Sequence, residues 1–169
     1  MSTTRIRLLG PGDEALLTLL AEEEQDFDLP GRVTPRTPLA HADAVAYLGD
    51  PSVLHWVAEE DGRVVGDLLC YVERRWIGAP RQLLLYEIGV READRRRGIG
   101  TALVETMRRW MENESIEEVW VLADNRGAED FYASCGFVRD DEQGVLMTLT
   151  VSGAWSRSRG QAGPAGGPA

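Results

Sequence analysis

The chain contains no lysine. Its 18 basic residues are all arginine, set against 28 aspartates and glutamates, for a formal net charge of -10. Without lysine there is no nucleotide loop of the GxxxxGKS/T kind, in which an ammonium group reaches the β- and γ-phosphates. So acidic a balance also argues against nucleic acid as a partner, because a phosphate backbone needs a basic face. Cysteine is scarce. Cys70 and Cys135 have no metal-ligand spacing and are too few for a disulfide framework, so buried free thiols and no bound metal are expected. No run of 18 apolar residues is present to span a bilayer, and the opening MSTTRIRLLGPGDE lacks the apolar core of a signal peptide. A protein of the cytoplasm with no membrane partner is the expectation. At 169 residues the chain suffices for one domain with a real core, and a second catalytic domain does not fit.

The most informative stretch runs from Leu83 to Met111, LLLYEIGVREADRRRGIGTALVETMRRWM. An apolar β-forming run leads through a turn rich in arginine and glycine into an amphipathic helix. The first N–H groups of a helix have no partner within it, and the peptide dipoles leave about half a positive charge there. Gly98 and Gly100 remove side chains where a ligand would meet backbone, while Arg95, Arg96 and Arg97 add positive charge. The turn is therefore read as an anion site, suited to a diphosphate. A third glycine, required by a dinucleotide fold, is missing after Gly98-Ile99-Gly100.

Elsewhere the pattern alternates short strands and helices. Arg5 to Leu9 reads as a strand, followed after Gly10-Pro11-Gly12 by a helix capped by Asp13. Prolines at 30, 35 and 38 make 27–39 a loop, and 40–48 a short second helix. Runs at 53–59 and 63–73 form a hairpin about Asp61-Gly62. Further strands are read at 83–90, 118–122, 137–139 and 144–151, with helices at 99–111 and 127–134. The predicted domain spans residues 1–152, and the Gly/Pro-rich segment 153–169 reads as a disordered tail. Acid is concentrated near the start. No basic residue lies between Leu8 and Gly31, where Asp13, Glu14, Glu22, Glu23, Glu24, Asp26 and Asp28 all fall. Such a surface attracts cations, although a solvated helix face in an acidic protein would look the same.

Three ordered blocks carry a resemblance. Arg95-Arg96-Arg97-Gly98-Ile99-Gly100 resembles the acetyl-CoA signature Q/R-x-x-G-x-G/A of the GNAT N-acetyltransferases. The strand Val119-Trp120-Val121-Leu122 with Asn125 just beyond it, and the block Asp130-Phe131-Tyr132-Ala133-Ser134-Cys135-Gly136-Phe137, similar to the family's Y-x-x-x-G-F, follow in the family's order. The resemblance spans roughly Arg5 to Val151. It implies an α/β fold with a mixed, mostly antiparallel sheet splayed between its fourth and fifth strands and helices on both faces. It also implies acetyl-CoA as cosubstrate. Ile88, Gly89 and Val90 would face the pantetheine arm, the turn from Arg95 through Ile99 and Gly100 to Thr101 would hold the pyrophosphate, and Asn125 would bond the pantetheine chain.

By the same resemblance Glu87 is the candidate base and Tyr132 the acid that protonates the departing thiolate. Glu87 could equally be a solvent-facing strand residue, and Tyr132 a core aromatic. His41 and His55 are isolated and read as structural. The connection between the first two helices borders the acceptor cleft in this family, which brings Glu23, Glu24, Asp26 and Asp28 towards an amine. Asp140, Asp141 and Glu142 could join them. Within the family the chain most resembles the small aminoglycoside 3-N-acetyltransferases, which usually carry aspartate at the position of Glu87. Acetylation of the 3-amino group of an aminoglycoside, and hence antibiotic resistance, is the activity implied. A polyamine, another small amine or a peptide N-terminus would use the same coenzyme residues. A non-catalytic acetyl-CoA sensor would need neither Glu87 nor Tyr132. Many family members dimerise, and the 144–151 strand offers an edge for a homodimer.

Overall fold

The computed structural model describes residues 3–27 and 36–140. The chain divides into two units, Met1–Val138 and Arg139–Ala169, and the fold described is that of the first. Among the described residues a five-stranded sheet runs in the order β1 (Arg5–Leu8), β2 (Val53–Glu60), β3 (Arg63–Arg74), β4 (Arg81–Val90), β5 (Val119–Val121). Neighbours are antiparallel from β1 to β4, whereas β4 and β5 are parallel. The helices are α1 (Glu14–Glu22), α2 (His41–Gly49), α3 (Ile99–Glu114) and α4 (Arg126–Ser134), with short 3-10 turns at Glu24–Asp26 and Glu92–Asp94.

The apolar pattern builds a core on each face of the sheet. On one face Leu9, Val57 and Val64 are covered by Leu16, Leu17 and Leu20 of α1, Phe27 and Leu48. On the other, Trp56, Leu68, Cys70, Leu83 and Leu85 meet Leu103, Val104, Met107 and Met111 from α3 and Tyr132 from α4. The central strands are thus buried on both sides, which is why VVGDLLC reads as an almost unbroken apolar run. Cys70 lies wholly inside, its thiol 3.5 Å from the Met107 sulfur and pushed up to about 12 by burial. The β2–β3 hairpin closes through Asp61 and Gly62 at φ 49° and 77°, with Glu60 paired to Arg63. Two left-handed residues in a two-residue loop make the type I′ geometry that Asp-Gly favours.

Two sequence expectations are corrected. Asp13 stands at the N-cap of α1, but its carboxylate accepts from the Arg7 guanidinium at 2.9 and 3.0 Å and from the Gly10 N–H at 3.0 Å instead of capping the helix. A bidentate charged donor outcompetes a backbone amide. Residues 137–139 form no strand. The strand expected at 144–151 and the tail at 153–169 lie outside the described residues. Among the described residues no helix is long and apolar enough to cross a membrane.

Gly66 on β3 sets how closely α3 approaches the sheet. A Cβ there would stand 2.9 Å from the Ile99 Cγ2 and 3.1 Å from the Gly89 carbonyl oxygen. Ile99 is β-branched and buried at the start of α3, so it has little freedom to retreat. Replacing Gly66 with alanine should cost about 1–3 kcal/mol through overpacking. A urea midpoint unchanged from that of the parent chain would show that Ile99 repacks at no cost.

Candidate active site

The β4–β5 ladder pairs only Leu83 with Val119, Leu84 with Trp120 and Leu85 with Val121. Beyond Leu85, β4 continues to Val90 without a partner on that side. Its local cause is visible on the opposite edge. Leu69 pairs with Glu87 but Cys70 pairs with Leu85, which leaves Tyr86 as an extra residue in β4. A bulge increases local twist and bends the strand that carries it. It falls where β5 leaves, so β4 from Tyr86 to Val90, the stretch containing Ile88 and Gly89, has no strand partner on that edge, and the Val90 carbonyl accepts from Arg95.

From Val90 the chain passes the 3-10 turn and enters the segment Arg95–Gly98, with Arg96 at φ 63° and Gly98 at φ 83°. Space is open where a Gly98 side chain would project, whereas a Cβ on Gly100 would meet the Phe131 ring at 3.2 Å. Gly98 thus leaves room for a ligand and Gly100 makes room for α4. The three arginines divide in the same way. Arg95 donates to the Val90 carbonyl at 3.0 Å and to the Phe27 carbonyl at 3.1 Å. Arg97 bonds Asp94 at 2.6 Å and Glu60 at 2.9 Å. Of the three arginines expected to add positive charge at the anion site, Arg95 and Arg97 bond within the turn through their guanidinium groups, and Arg96 is exposed. The first-turn N–H groups of Ile99, Gly100 and Thr101 have no acceptor within α3. The Ile99 side chain itself is buried in the core.

The acidic residues are likewise sorted into two sets. Glu23 and Asp26 both bond Arg91, Asp26 at 2.5 Å. The Arg91 side chain is only 6% exposed, donates to the Val64 carbonyl at 2.6 Å and lies 4.7 Å over the Phe27 ring. Glu23 and Asp26, expected near an acceptor, pair with a buried arginine that ties the loop after α1 to the end of β4. The second set centres on Arg36. Its guanidinium donates to Glu87 through two bonds of 2.7 and 3.1 Å, and its Nε bonds Glu24. The expected base and one expected substrate ligand are thus brought together. Asp28, Asp141 and Glu142 lie outside the described residues, and Asp140 belongs to the second unit.

Tyr132 is buried on α4 between the rings of Phe131 and Phe137. Burial pushes its hydroxyl up to about 12, and the negative charges of Asp124 and, more weakly, Glu87 add to the rise. Asn125 is the N-cap of α4. Its side-chain oxygen accepts from the Ala128 N–H at 2.9 Å and its amide donates to Asp124 at 2.8 Å. Asn125, expected to bond the pantetheine chain, thus also orders the helix that carries Tyr132.

One cluster escaped the sequence reading. His55 is buried on β2, with Nδ1 3.1 Å from the Tyr47 hydroxyl and Nε2 3.2 Å from the Asp67 carboxylate. Asp67 pairs with Gly89, and a Cβ on Gly89 would stand 2.8 Å from the Asp67 Oδ1. Gly89 therefore admits a carboxylate over the unpaired stretch of β4. Burial pushes the Tyr47 hydroxyl upward, with the charges of Asp67 and Glu87 contributing. The available signal was an aspartate within the apolar run VVGDLLC, which calls for a buried partner.

Comparison with known proteins adds an independent line. The curated N-acetyltransferase 8 of Rattus norvegicus is 29% identical over 99 residues, 57% of this chain and 45% of that protein. An uncharacterized N-acetyltransferase of Methanocaldococcus jannaschii is 36% identical over 87 residues, 48% of this chain and 38% of that protein. The chain spans less than half the length of these curated relatives. Among solved structures, an aminoglycoside acetyltransferase from an uncultured soil metagenomic sample, in complex with trehalose, superimposes with a TM-score of 0.74 at 24% identity. The match covers 88% of this chain and 97% of that one. Aminoglycoside N-acetyltransferase AAC(6')-Iy in complex with CoA gives 0.70 at 20% identity, over 90% of this chain and 97% of that one. Both share the fold of this chain. Residues 15–137, from α1 past the end of α4, match the model of the Acetyltransferase (GNAT) family, and the chain belongs to that family.

Proposed function

We propose that the chain is an acetyl-CoA-dependent N-acetyltransferase whose acceptor is a cationic small molecule with several amines, an aminoglycoside foremost. The observation that carries this reading is continuous: the unpaired stretch of β4 from Tyr86 leads directly into the open turn at Gly98 and the free N-terminus of α3. An extended polar arm fits the first, and a diphosphate fits the second. Acetyl-CoA would supply the acetyl thioester there. The residues assigned to hold it are Ile88, Gly89 and Val90 through backbone, the N–H groups of the Arg96 to Thr101 turn, and the Arg96 side chain.

Acyl transfer to an amine needs a neutral nitrogen, a polarised carbonyl and a proton for the departing sulfur. Glu87, directly or through a water, is assigned the proton of the amine. Arg36 occupies both of its oxygens, so this role requires Arg36 to give way. Tyr132 is assigned the donation to sulfur. A hydroxyl raised to about 12 keeps its proton throughout the neutral range, which is the state an acid needs. The resemblance to 3-N-acetyltransferases favours the 3-amino group. Acetylation elsewhere on the sugar is a distinct outcome of the same assay.

Release of free thiol from acetyl-CoA should be seen with kanamycin or gentamicin, the product identified by mass and NMR. Turnover with spermidine or short peptides alone would discard the aminoglycoside, and acetyl-CoA binding without turnover on any amine would discard the enzyme. Glu87→Gln should lower kcat/KM by about 10²- to 10⁴-fold, the range for a general base. Acetyl-CoA affinity should be preserved in this variant, and unaltered turnover at neutral pH would remove Glu87 as the base. The pH–rate profile of the parent chain should show no loss assignable to Tyr132 between pH 7 and about 10, because the buried hydroxyl holds its proton above that range. Tyr132→Phe should slow thiol release while the fold survives, and an unchanged rate would limit Tyr132 to packing.

A further inference from the structure

The buried group of Tyr47, His55 and Asp67 has no role in the acyl transfer assigned to Glu87 and Tyr132, yet it stands beside the same stretch of β4. Register fixes where. His55 on β2 pairs with Leu69 on β3, and Leu69 pairs with Glu87 on β4, so His55 and Glu87 occupy one row of the sheet. Paired residues share a face, and two strand spacings set these two backbones roughly 10 Å apart. Tyr47 reaches the row from α2. Burial raises its hydroxyl, and Tyr71, Asp67 and Glu87 add to the rise, so titratable groups of both β3 and β4 act on it.

Donor and acceptor roles follow from charge. An ionised carboxylate can only accept, so the 3.2 Å bond from His55 Nε2 to Asp67 requires a proton on that nitrogen. In the neutral ring Nδ1 is then a bare acceptor, and the Tyr47 hydroxyl at 3.1 Å donates to it. Once a proton is added at Nδ1 the same two bonds persist: Nδ1–H donates to the Tyr47 oxygen, and Asp67 faces an imidazolium. Neither state requires a heavy atom to move. A purely structural bridge between α2 and the sheet has no use for this property. A group that takes up and releases a proton does, and imidazole is the side chain most often used for it.

Proton count supplies the need. An ammonium that becomes an amide loses two protons from nitrogen; one is balanced by the proton that Tyr132 gives to sulfur, and the other must leave. Glu87 holds one proton at a time, and both its oxygens accept Arg36 bonds that a resident proton would weaken. We propose that His55, positioned by Asp67, stores the proton that leaves the acceptor amine and receives it from Glu87 through water and the Tyr47 hydroxyl. The amine N–H bond breaks to Glu87, and Glu87 passes the proton on to the Tyr47 oxygen as the Tyr47 O–H proton moves to Nδ1. Asp67 balances the imidazolium charge until the proton returns through the same hydroxyl to solvent. Glu87 is thereby free for the next proton. The store rests on the acetyl-transfer reading.

The test combines imidazole NMR with kinetics on the full chain. The sequence holds two histidines, His41 and His55, so nitrogen spectra of the parent chain and of His41→Gln assign the rings. The neutral His55 ring should carry its hydrogen on Nε2; hydrogen on Nδ1 would overturn the store whatever the enzyme does. With kanamycin or spermidine as acceptor, His55→Gln keeps a donor for Asp67 but no nitrogen that accepts a proton. It should lower kcat about 10²-fold, the low end for a proton-transfer group, with acetyl-CoA affinity and the KM of the amine unchanged. Raising the concentration of MOPS buffer at constant pH and ionic strength should recover part of that rate, because a mobile base replaces the missing store; a packing defect shows no such rescue. An unchanged kcat, or a loss that MOPS leaves untouched, would overturn the proposal. If His55→Gln does not fold, Tyr47→Phe, which cuts the link and keeps the imidazole, carries the same expectation. Absence of turnover by the parent chain would sink the acetyltransferase reading and the store with it, whereas an active parent beside an equally active variant sinks the store alone.

Discussion

Everything at this site depends on a ladder that stops. Three parallel pairs tie β4 to β5, and then one extra residue, Tyr86, bends β4 away. The next residues of β4 remain anchored to β3 on one edge and have no strand on the other. The edge of β4 from Tyr86 to Val90 is thereby left open on one side while its ladder to β3 holds it on the other. Gly66 lets the start of α3 settle onto the same sheet, so the helix N-terminus and the unpaired edge share one support.

The charged groups show how an acidic chain keeps its acids from repelling one another. Arg7 serves Asp13 and Glu59, Arg91 serves Glu23 and Asp26, and Arg97 serves Asp94 and Glu60. Each of these arginines bridges two carboxylates, and each pair includes one distant in sequence from the arginine. A guanidinium suits this use because its planar fork presents donors in two directions. Much of the acid that a composition count assigns to the surface is thus consumed in fastening loops to strands. For these carboxylates the placement of each arginine matters more than the total.

The fold was largely readable from the chain because its signals are local. Asp-Gly between two alternating runs announced the hairpin, and the glycine turn after LLLYEIGV announced both the motif and the helix that follows. Apolar spacing placed the helices within a few residues, although α3 runs on to Glu114. The site was readable only as a neighbourhood. Which acid meets which arginine is decided by segments far apart in sequence, Glu23 with Arg91 and Arg36 with Glu87, and no local pattern encodes those meetings. The Tyr86 bulge is a property of register between two strands and was equally hidden. Asn125 was legible in another sense: asparagine just before a helix is a favoured cap, and a hydrogen-bonding role for it inside its own chain had good grounds.

The buried thiol of Cys70 carries a consequence of its own. It is packed against Met107 in the middle of the sheet, fully shielded and raised to about 12, so the native protein offers almost no thiolate there at neutral pH. A disulfide reagent cannot reach it until β3 and α3 part. The rate at which such a reagent consumes Cys70 therefore clocks the opening of the same packed layer that supports the open edge of β4, and reads its stability from inside without a label.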